Sequence, residues 1–323
     1  MSLISIIDNK KRAFLSILIA LMPFSFMAGN MILSLNTIFL ILMPILFFRK
    51  DVFRINFFIL DKILITFFIL ILITGAINNF HLYPIYKTWG TSIEISLDEY
   101  FLTIIKSILF LKYLLLYIVI RFLIEKDIIN LKFFFICSAI ASLFVCFDIF
   151  FQFFYGKDIF GYAATGRKLS GPFGDELIAG GFVQRFSLFA FFIIPLFYNS
   201  HNKYLKFIIP FLFIIFFTGI ILSGNRMPLL LFVFGICLIV LFQRQTRKFF
   251  LPFIIIFSLI FFLIFNFNKF VKDNFLSFYG QTSEMIKIVT EKDFKNENAP
   301  QYFKEFSTFY DTWLINKYIG GGI

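Results

Sequence analysis

The sequence predicts an all-α polytopic transmembrane helix bundle of about nine spans, at ~20 residues each, with its N-terminus in the cytoplasm. Three observations predict it. The 323 residues are 60% hydrophobic and only 15% charged, with a mean hydropathy of +0.89. An ordinary soluble chain is about 45–50% apolar and about 25% charged, and a soluble domain this apolar would expose surface that water does not tolerate. The apolar residues fall in runs of span length, and the basic residues fall mostly on one side of those runs. Such a composition excludes intrinsic disorder, and three cysteines exclude a disulfide scaffold. The 55 phenylalanines against 2 tryptophans match the bias of an AT-rich coding sequence. Some Phe therefore stand where Leu or Val would, and ring stacking is not expected from their number.

Residues 13–48 contain no charged residue or His. That run is too long for one span and suits two with a tight turn, which Gly29-Asn30 supplies. A basic flank before an apolar run also fits a signal peptide, but no small-residue cleavage pattern follows and a second span does, so a retained hairpin is expected. Further spans are predicted at 63–79, 101–123, 133–154, 180–199, 206–223, 228–243 and 249–267. Two long outer loops, 80–100 and 155–179, complete a bundle over residues 1–267. Residues 268–323 read as the start of a large outer segment. Within it, Tyr302, Phe303, Phe306, Phe309, Tyr310, Trp313 and Leu314 recur at the spacing of an amphipathic helix. The final Gly320-Gly321-Gly322-Ile323 reads like the interior of a longer protein, so truncation is expected.

Orientation follows from charge. With the N-terminus inside, the cytoplasmic flanks hold 15 basic residues, including Lys10, Lys11, Arg12, Arg49, Lys50, Arg54, Lys62, Arg121 and Lys126. The opposite loops before residue 268 hold five: Lys87, Lys157, Arg167, Lys168 and Arg226. Basic residues collect on the cytoplasmic side, so this asymmetry accounts for most of the +11 net charge without a nucleic-acid partner. Cys137, Cys146 and Cys237 lie inside spans without zinc-type spacing and read as buried apolar thiols. His81 and His201 fall on opposite sides of the membrane, so no metal and no other cofactor is expected.

Ionisable residues inside spans are costly and mark functional candidates. Lys106, Lys112, Asp148 and Arg185 are such residues, with Gln152 as a polar companion. Lys106 and Arg185 fall about 8 Å from the outer ends of their spans, and Asp148 about 9 Å. Two readings stand. Lys106 and Asp148 form an ion pair that orders the bundle while Arg185 snorkels outward. Alternatively, the charges line a polar cavity that opens outward at headgroup depth, with Asp148 and Gln152 as intramembrane support. Lys112, near the midplane, reads as a buried pair or water-cavity residue.

Two outer segments carry chemistry-bearing residues. Residues 166–181, Gly166-Arg167-Lys168-Leu169-Ser170-Gly171-Pro172-Phe173-Gly174-Asp175-Glu176-Leu177-Ile178-Ala179-Gly180-Gly181, hold five glycines, which let backbone N–H groups approach a ligand. Arg167 and Lys168 suit phosphate, the first as a bidentate fork and the second as a point charge. Asp175 and Glu176 serve equally well as acid and base or as caps of the following helix. The second segment, Ser223-Gly224-Asn225-Arg226-Met227-Pro228, joins two spans, with Pro228 suited to a first helical turn. Arg226 is either an interfacial anchor or, with Arg185 and Lys106, part of a cationic site for an anion. The chain holds no P-loop, dinucleotide fingerprint, serine elbow or zinc motif.

These segments, in this order, resemble the O-antigen ligase and O-antigen polymerase superfamily of bacterial surface-polysaccharide enzymes. The matching pieces are Arg167 to Glu176, Ser223-Gly224-Asn225-Arg226, and Tyr310-Asp311-Thr312-Trp313 through Ile323. The resemblance covers most of the chain and is most specific over 160–323. It implies a metal-independent glycosyltransferase of the bacterial inner membrane, active at the periplasmic face. The implied donor is an undecaprenyl-pyrophosphate-linked glycan, and the acceptor is a growing polysaccharide or lipid A-core. Arg226 matches the arginine of the family's second motif and would hold the pyrophosphate leaving group. The family's first-motif arginine falls on Lys168, with Arg167 one residue earlier, so either fills that role. The ligases' periplasmic histidine follows the glycine turn, and neither His81 nor His201 matches it. Polymerisation is expected ahead of ligation. A transporter of lipid-linked oligosaccharide is the rival, and it predicts polar residues at all depths and an internal repeat.

Overall fold

The computed structural model describes residues 3–80, 86–88, 91–93, 97–164, 168–197, 205–242, 258–259, 262–263, 265–266, 269–291, 305, 309, 310 and 314. They are overwhelmingly helical. The helices are α1 (Leu3–Ala20), α2 (Met22–Met27), α3 (Asn30–Phe48), α4 (Ile59–Phe80), α5 (Leu97–Glu125), α6 (Leu131–Tyr155), α7 (Ala179–Phe197), α8 (Leu205–Leu222) and α9 (Arg226–Phe242). A further helix, Lys269–Glu291, follows. The predicted spans through 228–243 coincide with helices, with ends moved by a few residues. Among the described residues, four stretches are long and apolar enough to cross a membrane: Asn30–Phe53, Ile59–Ile77, Ile104–Glu125 and Leu131–Tyr155. Ile208–Leu222 and Met227–Phe242 are shorter apolar helices. The protein is therefore a helical membrane protein by the length and composition of these helices.

The predicted 249–267 span and the amphipathic helix at 302–314 lie largely outside the described residues, as do the terminal glycines, His81 and His201. The 80–100 loop is not all irregular. It contains a short antiparallel pair, Tyr86–Thr88 against Thr91–Ile93, with Lys87 opposite Ser92. Runs this short carry too little period-2 pattern to be read as strands from sequence.

The chain divides into two compact units, Met1–Leu40 with Asp127–Leu276, and Ile41–Lys126 with Ser277–Ile323. In the first unit, α2 opens with Pro23 in its first turn, where the missing N–H costs nothing. Gly29 (φ +107°) reverses the chain as predicted, and Asn30 starts the next helix. Asn36 ties the returning helix to the outgoing arm, donating to Leu18 O at 3.3 Å and Ser25 Oγ at 2.9 Å. Helix α6 lies at the centre of this unit, against α1, α7 and α8, and α7 packs on α8 and α9. Small residues allow the close approaches that membrane helices need. A Cβ at Gly219 would lie 2.6 Å from Cys146 Sγ, and one at Gly235 would lie 2.6 Å from Leu188.

The core of this unit is aromatic. Phe182, Phe191, Phe216, Phe217 and Phe232 are fully buried. Rings meet within it, with centroids 4.7 Å apart for Phe182–Phe186, 5.6 Å for Phe213–Phe217 and 5.8 Å for Phe213–Phe232. Whatever enriched the sequence in Phe, the fold packs these rings against one another, which their number alone did not establish. The cysteines also differ from expectation. All three are free, but only Cys146 is buried; Cys137 is half-buried and Cys237 exposed, because the face of a helix is set by its neighbours and not by its hydropathy.

In the second unit, α4 and α5 pack side by side, and the 3-10 turn Arg49–Phe53 packs on α5. Phe48 meets Phe122 at 5.4 Å and Phe68 meets Phe110 at 5.4 Å.

Candidate functional site

The site is built outward from α6. Asn130 caps its start by accepting the Lys132 amide at 3.0 Å. Gly156 (φ +76°) ends it in the left-handed conformation, its N–H on Gln152 O at 2.9 Å. The last two turns thus present Asp148 and Gln152, both fully buried, to the loop that follows.

That loop is folded against those two side chains. Its first part is a small hairpin closed by the Lys157–Ala163 bridge, with Asp158 N on Tyr162 O at 2.9 Å. Asp148 Oδ1 accepts the Ile159 amide at 2.8 Å, and Asp158 Oδ1 accepts the Tyr162 amide at 2.6 Å. Gln152 is the hub. Its Nε2 donates to Tyr162 O at 3.3 Å and Ser170 Oγ at 3.4 Å, while its Oε1 accepts the Gly171 amide at 3.0 Å. Gly171 (φ +53°) lies so close to α6 that a Cβ there would be 3.2 Å from Ile149. From Lys168 onward the Gly-rich segment is therefore folded against α6. Gly171–Phe173 forms a 3-10 turn, and Glu176 N donates to Phe173 O at 3.1 Å.

The two motif segments meet. Asn225 Nδ2 donates to Leu177 O at 3.0 Å. The turn Ser223-Gly224-Asn225 sits on Gly180, where a Cβ would lie 2.2 Å from Ser223 Oγ and 3.1 Å from Asn225 Cβ. Gly180 is needed for that approach, a role different from the ligand approach expected of it. The contact brings the N-termini of α7 and α9 to one place. Helix N-termini carry unpaired N–H groups and a partial positive charge, so the junction favours an anion.

The candidate side chains fall around this junction as follows. Lys168, Asp175 and Glu176 are exposed on the loop. Neither carboxylate caps α7, which has no acidic residue in its first turn. Arg185, also exposed, is six residues into α7, about 9 Å along the axis. The backbone of Arg226 is the first residue of α9, directly after Asn225. Arg167 and the side chain of Arg226 lie outside what is described. Asp148 makes no ion pair among the described residues. One oxygen takes a backbone N–H and the other, Oδ2, is buried without a hydrogen-bond partner. The loop amide of Ile159 is thus the one hydrogen-bond partner of the Asp148 carboxylate among the described residues. In the second unit Lys106 and Lys112 are both exposed on α5. Lys112 has its Nζ 5.0 Å from the Tyr113 ring centre, so of the two readings of this residue the buried pair is not the one seen.

Sequence reasoning missed one polar centre. Asp61, 2% exposed, opens α4 and accepts the Phe58 amide at 2.7 Å and the Tyr117 hydroxyl. Arg121 Nε is 3.7 Å from the same carboxylate, and its guanidinium lies 4.7 Å from the Phe58 ring centre. A signal existed: an acid in the first turn of a span, answered by Tyr117 and Arg121 one turn apart on the next. Among the described residues no cluster of His, Cys, Asp and Glu is suited to a metal. Comparison with protein-family models, with curated proteins and with solved structures gives no match, so the likenesses drawn from the motifs rest on the residues themselves.

Proposed function

We propose that this protein transfers a glycan from an undecaprenyl-pyrophosphate carrier at the periplasmic face of the bacterial inner membrane, as a member of the O-antigen polymerase and ligase superfamily. Polymerisation is the reading preferred over ligation to lipid A-core. The observation that supports it is the junction of the two motif segments at Gly180, where the N-termini of α7 and α9 come together. That junction of helix N-termini suits the pyrophosphate that departs with the lipid. In this reading the nine-span, N-inside topology puts the junction at outer headgroup depth. The lipid tail then stays in the bilayer while the acceptor arrives from water.

The chemistry asks little of the protein beyond charge and position. A hydroxyl of the acceptor attacks the anomeric carbon, and the bond to the pyrophosphate oxygen breaks. Arg226, with Arg185, Arg167 or Lys168, stabilises the charge that develops on the leaving group. Asp175 or Glu176, exposed beside the junction, takes the acceptor proton. Arg226→Ala, with Arg226→Lys as a control, tests the proposal by complementation of strains lacking a polymerase or a ligase. Loss of long glycan with Ala and partial recovery with Lys are expected. Unchanged glycan length and lipid A capping in both strains would sink it.

A further inference from the structure

Helices α3 and α4 lie within stretches that each suit a membrane crossing, Asn30–Phe53 and Ile59–Ile77, so the connection between the two helices falls at one membrane surface. It is both basic and aromatic. Arg49, Lys50, Arg54 and Lys62 are exposed, and so are Phe53 (49%) and Phe57 (41%). Val52 (0% exposed) and Ile55 (7%) anchor the segment, so its exposed residues do not wander.

The acids of this region already have protein partners. Asp51 pairs with Arg54 at 3.4 Å. Asp61 is buried on Tyr117 and Arg121, and Glu125 pairs with Arg121 at 3.8 Å and Lys126 at 4.0 Å. Arg49, Lys50 and Lys62 have no acidic partner among the described residues. Three cations therefore remain for an anion from outside the chain. Phenylalanines exposed among cations are the composition of a surface seated at the headgroup and acyl boundary. A soluble anion would explain the charges but not the rings.

We propose that this connection is a docking site for anionic phospholipid headgroups, in which Arg49, Lys50 and Lys62 hold phosphodiesters while Phe53 and Phe57 enter the acyl boundary. The site serves contact with one leaflet and is independent of the glycan-transfer reading.

The test uses the full chain purified in a neutral detergent. Phosphatidylglycerol and phosphatidylcholine are titrated separately, and retained lipid is counted by native mass spectrometry. The wild type is expected to retain phosphatidylglycerol in preference. Each neutralisation among Arg49→Gln, Lys50→Gln and Lys62→Gln should weaken that retention about fivefold, as expected for one basic residue at an anionic surface. Lys157→Gln and Lys272→Gln, elsewhere in the chain, should leave it unchanged. Raising the salt should reduce the preference of the wild type. Should the triple variant fail to keep the wild-type helix content, the single Lys62→Gln variant carries the test. Equal retention of the two lipids by the wild type, or an undiminished preference in Lys62→Gln and the triple variant, would overturn the proposal.

Discussion

Gln152 and Asp61 are both buried polar residues on apolar helices, but they are satisfied in different ways. Gln152 is satisfied mainly by backbone: the Tyr162 carbonyl and the Gly171 amide, with Ser170 Oγ as the one side-chain partner. Asp61 is satisfied mainly by side chains, Tyr117 and Arg121, which lie on the facing helix. The first arrangement gives shape to a loop and the second ties two helices together. A buried polar group must find partners, and the kind it finds decides whether its job is to build a surface or to hold a bundle. The Gln152 region is the one that carries the motif segments, as a site built on a fixed scaffold requires.

The contrast can be broken at the backbone first. Gly180→Leu has no room beside Ser223 and Asn225, so the α9 turn must leave α7. Glycan transfer should be lost altogether. Gly180→Ala should be destabilised by about 1–3 kcal/mol, the usual cost of an overpacked site. Thermal unfolding in detergent and glycan profiles read both. A Leu variant with normal transfer would show that the junction is not needed.

Gln152→Leu comes next. It preserves bulk and removes three hydrogen bonds, leaving the Gly171 amide unpaired. A loss of about 1–3 kcal/mol is expected, together with faster proteolysis within 156–171. Unchanged protease resistance would mean that the loop holds itself. The smallest effect belongs to Tyr117→Phe, which removes one hydroxyl and leaves Arg121 beside Asp61. Its melting temperature should fall less than that of Gln152→Leu, and glycan transfer should be unaffected. If Tyr117→Phe impaired transfer as much as Gln152→Leu, the division of labour between the two centres would be wrong.

The fold was legible where hydropathy alone decides it. The predicted 133–154 and 206–223 became α6 and α8 with ends displaced by one or two residues, and the turn at Gly29 was read from one dipeptide. Pairing was not legible. Asp61 and Tyr117 are 56 residues apart, and no local pattern names the partner of a buried acid. The same limit applies to Asp148, whose carboxylate takes the amide of Ile159, eleven residues downstream, a partner that no count of depth along the helix names. Depth along a helix can be counted from sequence, but rotation about its axis cannot, and Cys237 was misjudged for that reason. The candidate site was legible as two segments with unusual glycine and charge content. That they touch through Gly180 follows from helix packing, which periodicity does not encode.

One feature of the Gln152 loop bears on how such proteins vary. Gln152 fastens the segment at Tyr162 and at Gly171, Asp148 holds the Ile159 amide, and Asp158 closes the hairpin internally. Phe160, 61% exposed at the tip, is engaged by none of these bonds. The side chain at that tip can therefore change while the bonds beneath it keep the hairpin on α6. A segment fastened in this way is a replaceable cassette, and its tip is the place where divergence between related chains would accumulate without loss of the scaffold.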